Sequence, residues 1–359
     1  ALGTLAADPL VSLIDTAFVG RLGKTPLGGL GVDTAVFSIA FFMFNFLAYG
    51  TPPRVAGAVA RGDRDVAGRS AGAALTLGLG IGLGMTVLLI GAAEPVLRLM
   101  GAESDLLADG VLYLRIRVLG MPALLLATVA HGVFRGHQDT RTPLGVTLGI
   151  AAVNLVLDPI LIFGFDWGLA GAAWATMVAQ WAGAAAFVVL FRVRREEFAL
   201  KLRRPERGSL RPLVGAGRAL VIRSGSLLAA FTLATAVATR QGEEVVAAHQ
   251  VAVQLWIFLA LVVDSLAIAA QALIGLHLEE RPQLAGAYAR RLLTWGLLGG
   301  LVLLAVMALG RGFLPGVFTT DPEVIAQVEG VYMFIVLMQP LNAVVFVWDG
   351  IAIGASQFS

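Results

Sequence analysis

Long uncharged stretches set the rhythm of this chain. Thr34–Pro53, Ala71–Ala93, Gly168–Leu190, Leu292–Gly310 and Gly330–Trp348 contain no Asp, Glu, Lys or Arg. A helix needs roughly 20 mostly apolar residues to cross a bilayer, and each of these windows matches or approaches that length. Adding windows with one or two polar intrusions, the pattern predicts about ten spans. They are 1–20, 28–53, 70–93, 106–133, 143–163, 168–191, 217–239, 245–275, 286–310 and 323–351. The stretch Arg192–Arg218 breaks the rhythm with nine basic residues and reads as a true linker.

The chain also matches itself at an offset of 218 residues. His131–Gly136 falls on Asp349–Gly354, Met121-Pro122 on Gln339-Pro340, and Ala67-Gly68 on Ala285-Gly286. The matched residues are mostly Gly and Pro, which mark kinks and close backbone contacts. Arg141 pairs with the last residue, Ser359, so the two spans within 142–191 have no second copy here. A complete pair of repeats would hold about twelve spans. An even number of spans per repeat gives both halves one orientation, related by an axis along the membrane normal. The expected fold is therefore an all-α membrane protein of two six-helix lobes related by a pseudo-two-fold along that normal, the second lacking its last two helices. The expected boundaries are 1–194 for the first lobe, 195–215 for a basic cytoplasmic linker and 216–359 for four of the six helices of the second.

Composition agrees. Hydrophobic residues make up 58% and charged residues 14%, about half the charged share of a soluble domain. With no cysteine, disulfides, thiol catalysis and Cys-based metal sites are excluded. The four histidines, His131, His137, His249 and His277, have no zinc-ligand spacing, and no metal site is expected. With the N-terminus cytoplasmic, 19 of the 26 Lys and Arg fall on one side and 7 on the other, which places the linker in the cytoplasm. The linker's charge reads as topology and contact with anionic lipid, not nucleic acid. The chain begins within an apolar run that carries Asp15 and lacks a basic leader, so no signal peptide is expected. Gly-X-X-X-X-Gly-Lys-Ser/Thr, His-Glu-X-X-His and Gly-X-Ser-X-Gly are all absent, which argues against an ATP-driven pump and against an enzyme. The run Gly78-Leu-Gly80-Ile-Gly82-Leu-Gly84 lies within a span and reads as helix packing.

Two carboxylates sit where lipid tolerates them least. Asp15 lies in Leu10–Val19 and Asp158 in Val153–Phe163, both otherwise suited to hydrocarbon. An ionised acid at that depth costs a few kcal/mol or more, and is a functional-site hypothesis by default. Asn154 and Asp158 are four apart and share a helix face. Pro159 removes a backbone donor and frees the carbonyl of Leu155. Amide, carboxylate and carbonyl make a hard oxygen site, suited to H+ or Na+ rather than a soft metal. Asp15 precedes Thr16 and follows Pro9 by six residues in a helix that the proline would bend. Thr176 and Gln180 share a face lined by small residues. In the second half, Asp264, with Gln271 two turns on, and Asp349, the repeat partner of His131, are further acids that could line a substrate pathway. Arg115 and Arg117 are expected to snorkel to the surface. The row Phe37, Phe41, Phe42, Phe44 and Phe46 is expected to contact lipid.

These residues bring a family into view. Leu13-Ile-Asp15-Thr-Ala-Phe-Val-Gly20-Arg-Leu-Gly23 resembles the first helix of the multidrug and toxic compound extrusion (MATE) family, and most of all its DinF-like branch, where a proline six residues before the Asp recurs. Asn154–Asp158 resembles the fifth-helix motif and Gly168–Thr176 the sixth helix. Val263-Asp264-Ser265 and Trp348–Ala355 resemble the eighth and tenth. The resemblance covers essentially the whole chain. It implies export of small organic, in part cationic, compounds by a monomer with two lobes around a cleft, in a bacterial inner membrane, driven by inward H+ or Na+ and with no other cofactor. It implies that Asp15, Asn154, Asp158 and Thr176 form the cation site, with Gln180, Asp264, Gln271 and Asp349 along the substrate pathway. Some members place a Glu on the seventh helix; Ser224–Thr235 holds no acid, which favours coupling through the first lobe. A lipid-linked oligosaccharide flippase of related architecture is the alternative expectation.

Overall fold

A computed structural model describes residues 12–42, 51, 55–59, 61–200, 225–226, 228–277 and 282–355. Among them no strand occurs. The helices are α1 (12–19), α2 (Lys24–Phe42), α3 (55–59), α4 (Arg64–Met100), α5 (Ser104–Arg117), α6 (Met121–Gly136), α7 (Arg141–Pro159), α8 (Gly168–Val193), α9 (Arg195–Phe198), α10 (228–241), α11 (Glu243–His277), α12 (Pro282–Gly310), α13 (Leu314–Phe318) and α14 (Pro322–Gly354). A 3-10 turn, Val118–Gly120, joins α5 to α6, and a π turn, Ile160–Gly164, extends α7.

Seven helical stretches among the described residues are long and apolar enough to cross a membrane: 64–100, 104–136, 141–164, 168–193, 243–267, 282–310 and 322–352. They match seven of the expected spans. The other three, 1–20, 28–53 and 217–239, fall partly outside the described residues. The chain is an all-α, multi-pass membrane protein.

Packing divides it into two compact units, one of residues 18–247 and one of 2–17 with 248–359. In the first unit α2, α4 and α5 enclose a core that includes Val32, Val36, Leu97, Leu106, Leu114 and Met121. Phe37 belongs to that core and Phe41 packs on it, so these two do not face lipid as the row of phenylalanines suggests. The side chains of Phe42, Phe44 and Phe46 lie outside the described residues.

The internal repeat is visible helix by helix. The bounds of α5–α6, 104 to 136, recur in α14 as 322 to 354, and α4 and α12 start at the equivalent residues 64 and 282. The same contacts recur inside each unit. A Cβ on Gly82 would lie 2.5 Å from Pro122 Cα, and one on Gly300 would lie 2.6 Å from Pro340 Cα. A Cβ on Gly78 would meet Val129 and Leu125; one on Gly296 would meet Val347 and Ala343. All four pairings keep the 218-residue spacing. The glycines let two helix backbones approach where a membrane offers little hydrophobic drive for association. Gly80 and Gly84 have nothing within 4 Å, so only alternate members of the glycine run serve packing.

At the end of α4 where Gly68 lies, the chain leaving α8 is tied down. Arg194 pairs with Asp139 (2.7 Å) and Glu197 (2.8 Å) and lies over Phe134 and Phe198. Burial would push the Asp139 carboxyl up, but hydrogen bonds from Arg194 and Thr142 outweigh it and hold it at about 2. The same bonds raise Arg194 further.

Candidate functional site

The fifth span carries the most distinctive local geometry. α7 runs regularly to Pro159, which has no N–H to donate. The backbone then widens into the π turn, a form that concentrates at functional sites. Gly171 of α8 makes this possible: a Cβ there would lie 2.7 Å from the carbonyl of Leu161. α8 therefore presses directly against the widened turn. One helical turn before it, Asn154 and Asp158 are both buried, at 2% and 0% exposure. Asn154 Nδ2 donates to Thr176 Oγ1 (3.2 Å), and Thr176 Oγ1 donates to the carbonyl of Ala172 (2.9 Å). The structure thus joins Asn154 with Thr176 and sets Asp158 on the same buried face. Ile162 of the π turn and Leu169 of α8 are both buried in one apolar cluster.

Asp15 and Thr16 belong to the other unit. Asp15 is half-buried on α1. Thr16 is fully buried; its Oγ1 donates to the carbonyl of Ser12 (2.8 Å) and accepts from Gln250 Nε2 of α11 (3.4 Å). Gln250 drew no attention in the sequence. Its signal was an amide within an apolar span, the cue that picked out Asn154.

Gln180 is buried and accepts from Arg117 Nη1 (2.9 Å). Arg117 does not snorkel. Its guanidinium stacks 4.1 Å from the centre of the Phe37 ring, an arrangement that stabilises a partly desolvated cation. Gly120 leaves the room, since a Cβ there would lie 2.3 Å from Gln180 Oε1. In the second unit Asp264 and Asp349, 85 residues apart in sequence, come close enough to repel one another. The side chain of Gln271 lies outside the described residues. Among the described residues no group of His, Asp and Glu is arranged to hold a metal ion.

Comparison with known proteins places this geometry. The MatE family model matches residues 1–160 and 222–359. Protein DETOXIFICATION 44, chloroplastic, of Arabidopsis thaliana is 34% identical over 99% of this chain and 70% of its own length. DNA damage-inducible protein F of Escherichia coli (strain K12) is 29% identical over 97% of this chain and 77% of its own. A solved inward-facing conformation of a multidrug resistance MATE family transporter superposes with a TM-score of 0.82 at 21% identity, covering 96% of this chain and 81% of that one. The chain belongs to the MatE family. It is a transporter and not an enzyme, and the comparisons bring out MATE transporters rather than the oligosaccharide flippase held as the alternative.

Proposed function

We propose that this chain is a secondary antiporter that exports small organic compounds, in part cationic ones, against an inward flow of H+ or Na+. Asp15, Asn154, Asp158 and Thr176 carry the ion. The observation that supports this most is the buried Asn154–Asp158–Thr176 face beside the π turn. A buried acid flanked by an amide and a hydroxyl is built to alternate between charged and neutralised states. In this reading Asp15 of α1 is the second acid of the ion cycle. Ion binding neutralises the two acids, the first helix rearranges, and substrate affinity drops. The ion shifts the equilibrium between two lobe arrangements by its differential affinity for them. The lobes are those of the repeat, 1–194 and 216–359, with the linker in the cytoplasm as the basic bias supports. Gln180, Asp264, Gln271 and Asp349 line the substrate's route, and the chain acts as a monomer. The membrane is a bacterial inner membrane, a reading supported by the Escherichia coli relative; the first Arabidopsis relative is named chloroplastic.

Efflux assays on single variants test the assignment. Asp15→Asn and Asp158→Asn each abolish efflux of a fluorescent aromatic cation while expression and monodispersity stay at wild-type level. Undiminished ion-driven efflux in both variants would refute it.

A further inference from the structure

α2 carries a carboxylate that the sequence motifs pass over. Asp33 is fully buried, and neither of its oxygens has a hydrogen-bond partner among the described residues. It stands nine residues into α2, about 14 Å along the helix axis. Both oxygens lie over Gly110 of α5, where a Cβ would sit 3.6 and 3.7 Å from them. A Cβ at 110 would already stand in van der Waals contact with the carboxylate. An ionised acid held this way is among the most costly arrangements in a protein, so a group that binds a proton or a cation is the economical reading.

The second repeat indicates that packing does not call for this acid. Gly23 and Gly242 both take left-handed φ values, 123° and 133°, just ahead of α2 and α11. Counting from them, a spacing of 219, the place of Asp33 falls on half-buried Ala252; the 218-residue spacing puts it on fully buried Val251. The 218-residue spacing puts Val328, fully buried, at the place of Gly110. On either count, where one repeat has Asp and Gly the other has an apolar residue and Val.

Acids also gather next to the slot. Asp109, beside Gly110 in sequence, lies in the repulsive field of Asp105 and of Glu243 at the start of α11. Thr25 donates to Glu243, and Lys24 is paired with Glu244. Four other charges on α4 and α5 are engaged elsewhere. Arg117 is held by Gln180 and Phe37, Arg115 reaches the carbonyl of Ile90, and Glu94 pairs with Arg98 on α4.

We propose that Asp33 is a second proton-binding site, distinct from the Asn154–Asp158–Thr176 set, and that Asp109, with Asp105 and Glu243 around it, hands it protons from the end of the bundle where α2, α5 and α11 begin. The transfer is balanced: a proton leaves the Asp109 carboxyl, joins an Asp33 oxygen, and Asp109 is reprotonated from water. A proton fits where a metal ion does not, because the slot offers two oxygens of one side chain whereas a hard divalent cation takes about six. The inference does not depend on the role of Asp15 or Asp158.

Proton uptake by the full chain in detergent, followed with an indicator dye after a drop in pH, tests it together with the infrared difference spectrum of protonated carboxyl groups. Asp33→Asn imitates the protonated acid, and Asp33→Ala with Gly110→Val fills the slot with apolar volume. Both variants are expected to stay monodisperse, to take up about one proton fewer per chain than wild type, and to lack a carboxyl band that Asp158→Asn retains. Asp109→Asn is expected to slow uptake without reducing it. Wild-type uptake and an unchanged carboxyl band in the Asp33 variants would overturn the site, as would failure of both to fold, which would make Asp33 structural. Uptake at full speed in Asp109→Asn would overturn the relay.

Discussion

Replacing Gly82 by alanine tests the helix crossing on which each repeat is built. The added Cβ would lie 2.5 Å from Pro122 Cα, 3.0 Å from Pro122 N and 3.3 Å from the Met121 carbonyl oxygen. All three are backbone atoms, so no side chain can swing aside. Carbon atoms rest about 3.5–4.0 Å apart, so α4 and α6 must separate by about 1 Å. Overpacking of this kind costs about 1–3 kcal/mol. Alanine's better helix propensity returns at most about 1 kcal/mol, leaving a net loss. Gly80, two residues away on the exposed side, has nothing within 4 Å and should keep the propensity gain alone. The repeat supplies an independent copy: Gly300, whose Cβ would lie 2.6 Å from Pro340 Cα, against Gly299, which has nothing within 4 Å. Thermal unfolding in detergent should show Gly82→Ala and Gly300→Ala melting several degrees below wild type, with Gly80→Ala and Gly299→Ala at or above it. Equal midpoints for Gly82→Ala and Gly80→Ala would refute the crossing.

Two further outcomes follow from polar contacts. Thr176→Val removes the acceptor of Asn154 Nδ2, a loss of about 0.5–1.5 kcal/mol; ion-driven efflux should fall sharply while Thr176→Ser keeps most of it. Asp139 is held at about 2 against an ordinary 3.8, so its pairing with Arg194 stabilises the fold above pH 4 and is lost as pH falls through 2. At this solvent-screened site the contribution is about 1 kcal/mol. Asp139→Asn should lower the neutral-pH melting point and flatten its fall between pH 4 and 2, and a variant as acid-sensitive as wild type would count against it.

Much of the fold was legible in the sequence because bilayer thickness and the cost of buried charge leave few ways to arrange apolar runs. The offset of 218 was readable from Gly and Pro, since those residues sit where backbones touch, as Gly82 and Pro122 do. The Asn154–Asp158 pair was readable because polar groups in an apolar run stand out. What escaped depends on partners far apart in the chain. Arg117 resembled any snorkelling arginine until Phe37 and Gln180 converged on it. Asp33 drew no attention in the sequence, and the glycine beneath its oxygens, Gly110, is 77 residues away. The π turn could not be foreseen from Pro159 alone, because it also needs the bare backbone of Gly171.

The most direct test of the account is substrate movement in vesicles holding the full chain, with a pH gradient and a Na+ gradient imposed separately. The account predicts that at least one gradient drives a fluorescent aromatic cation outward against its own concentration, and that Asp158→Asn removes this response. Movement of the cation that is indifferent to both gradients would contradict it.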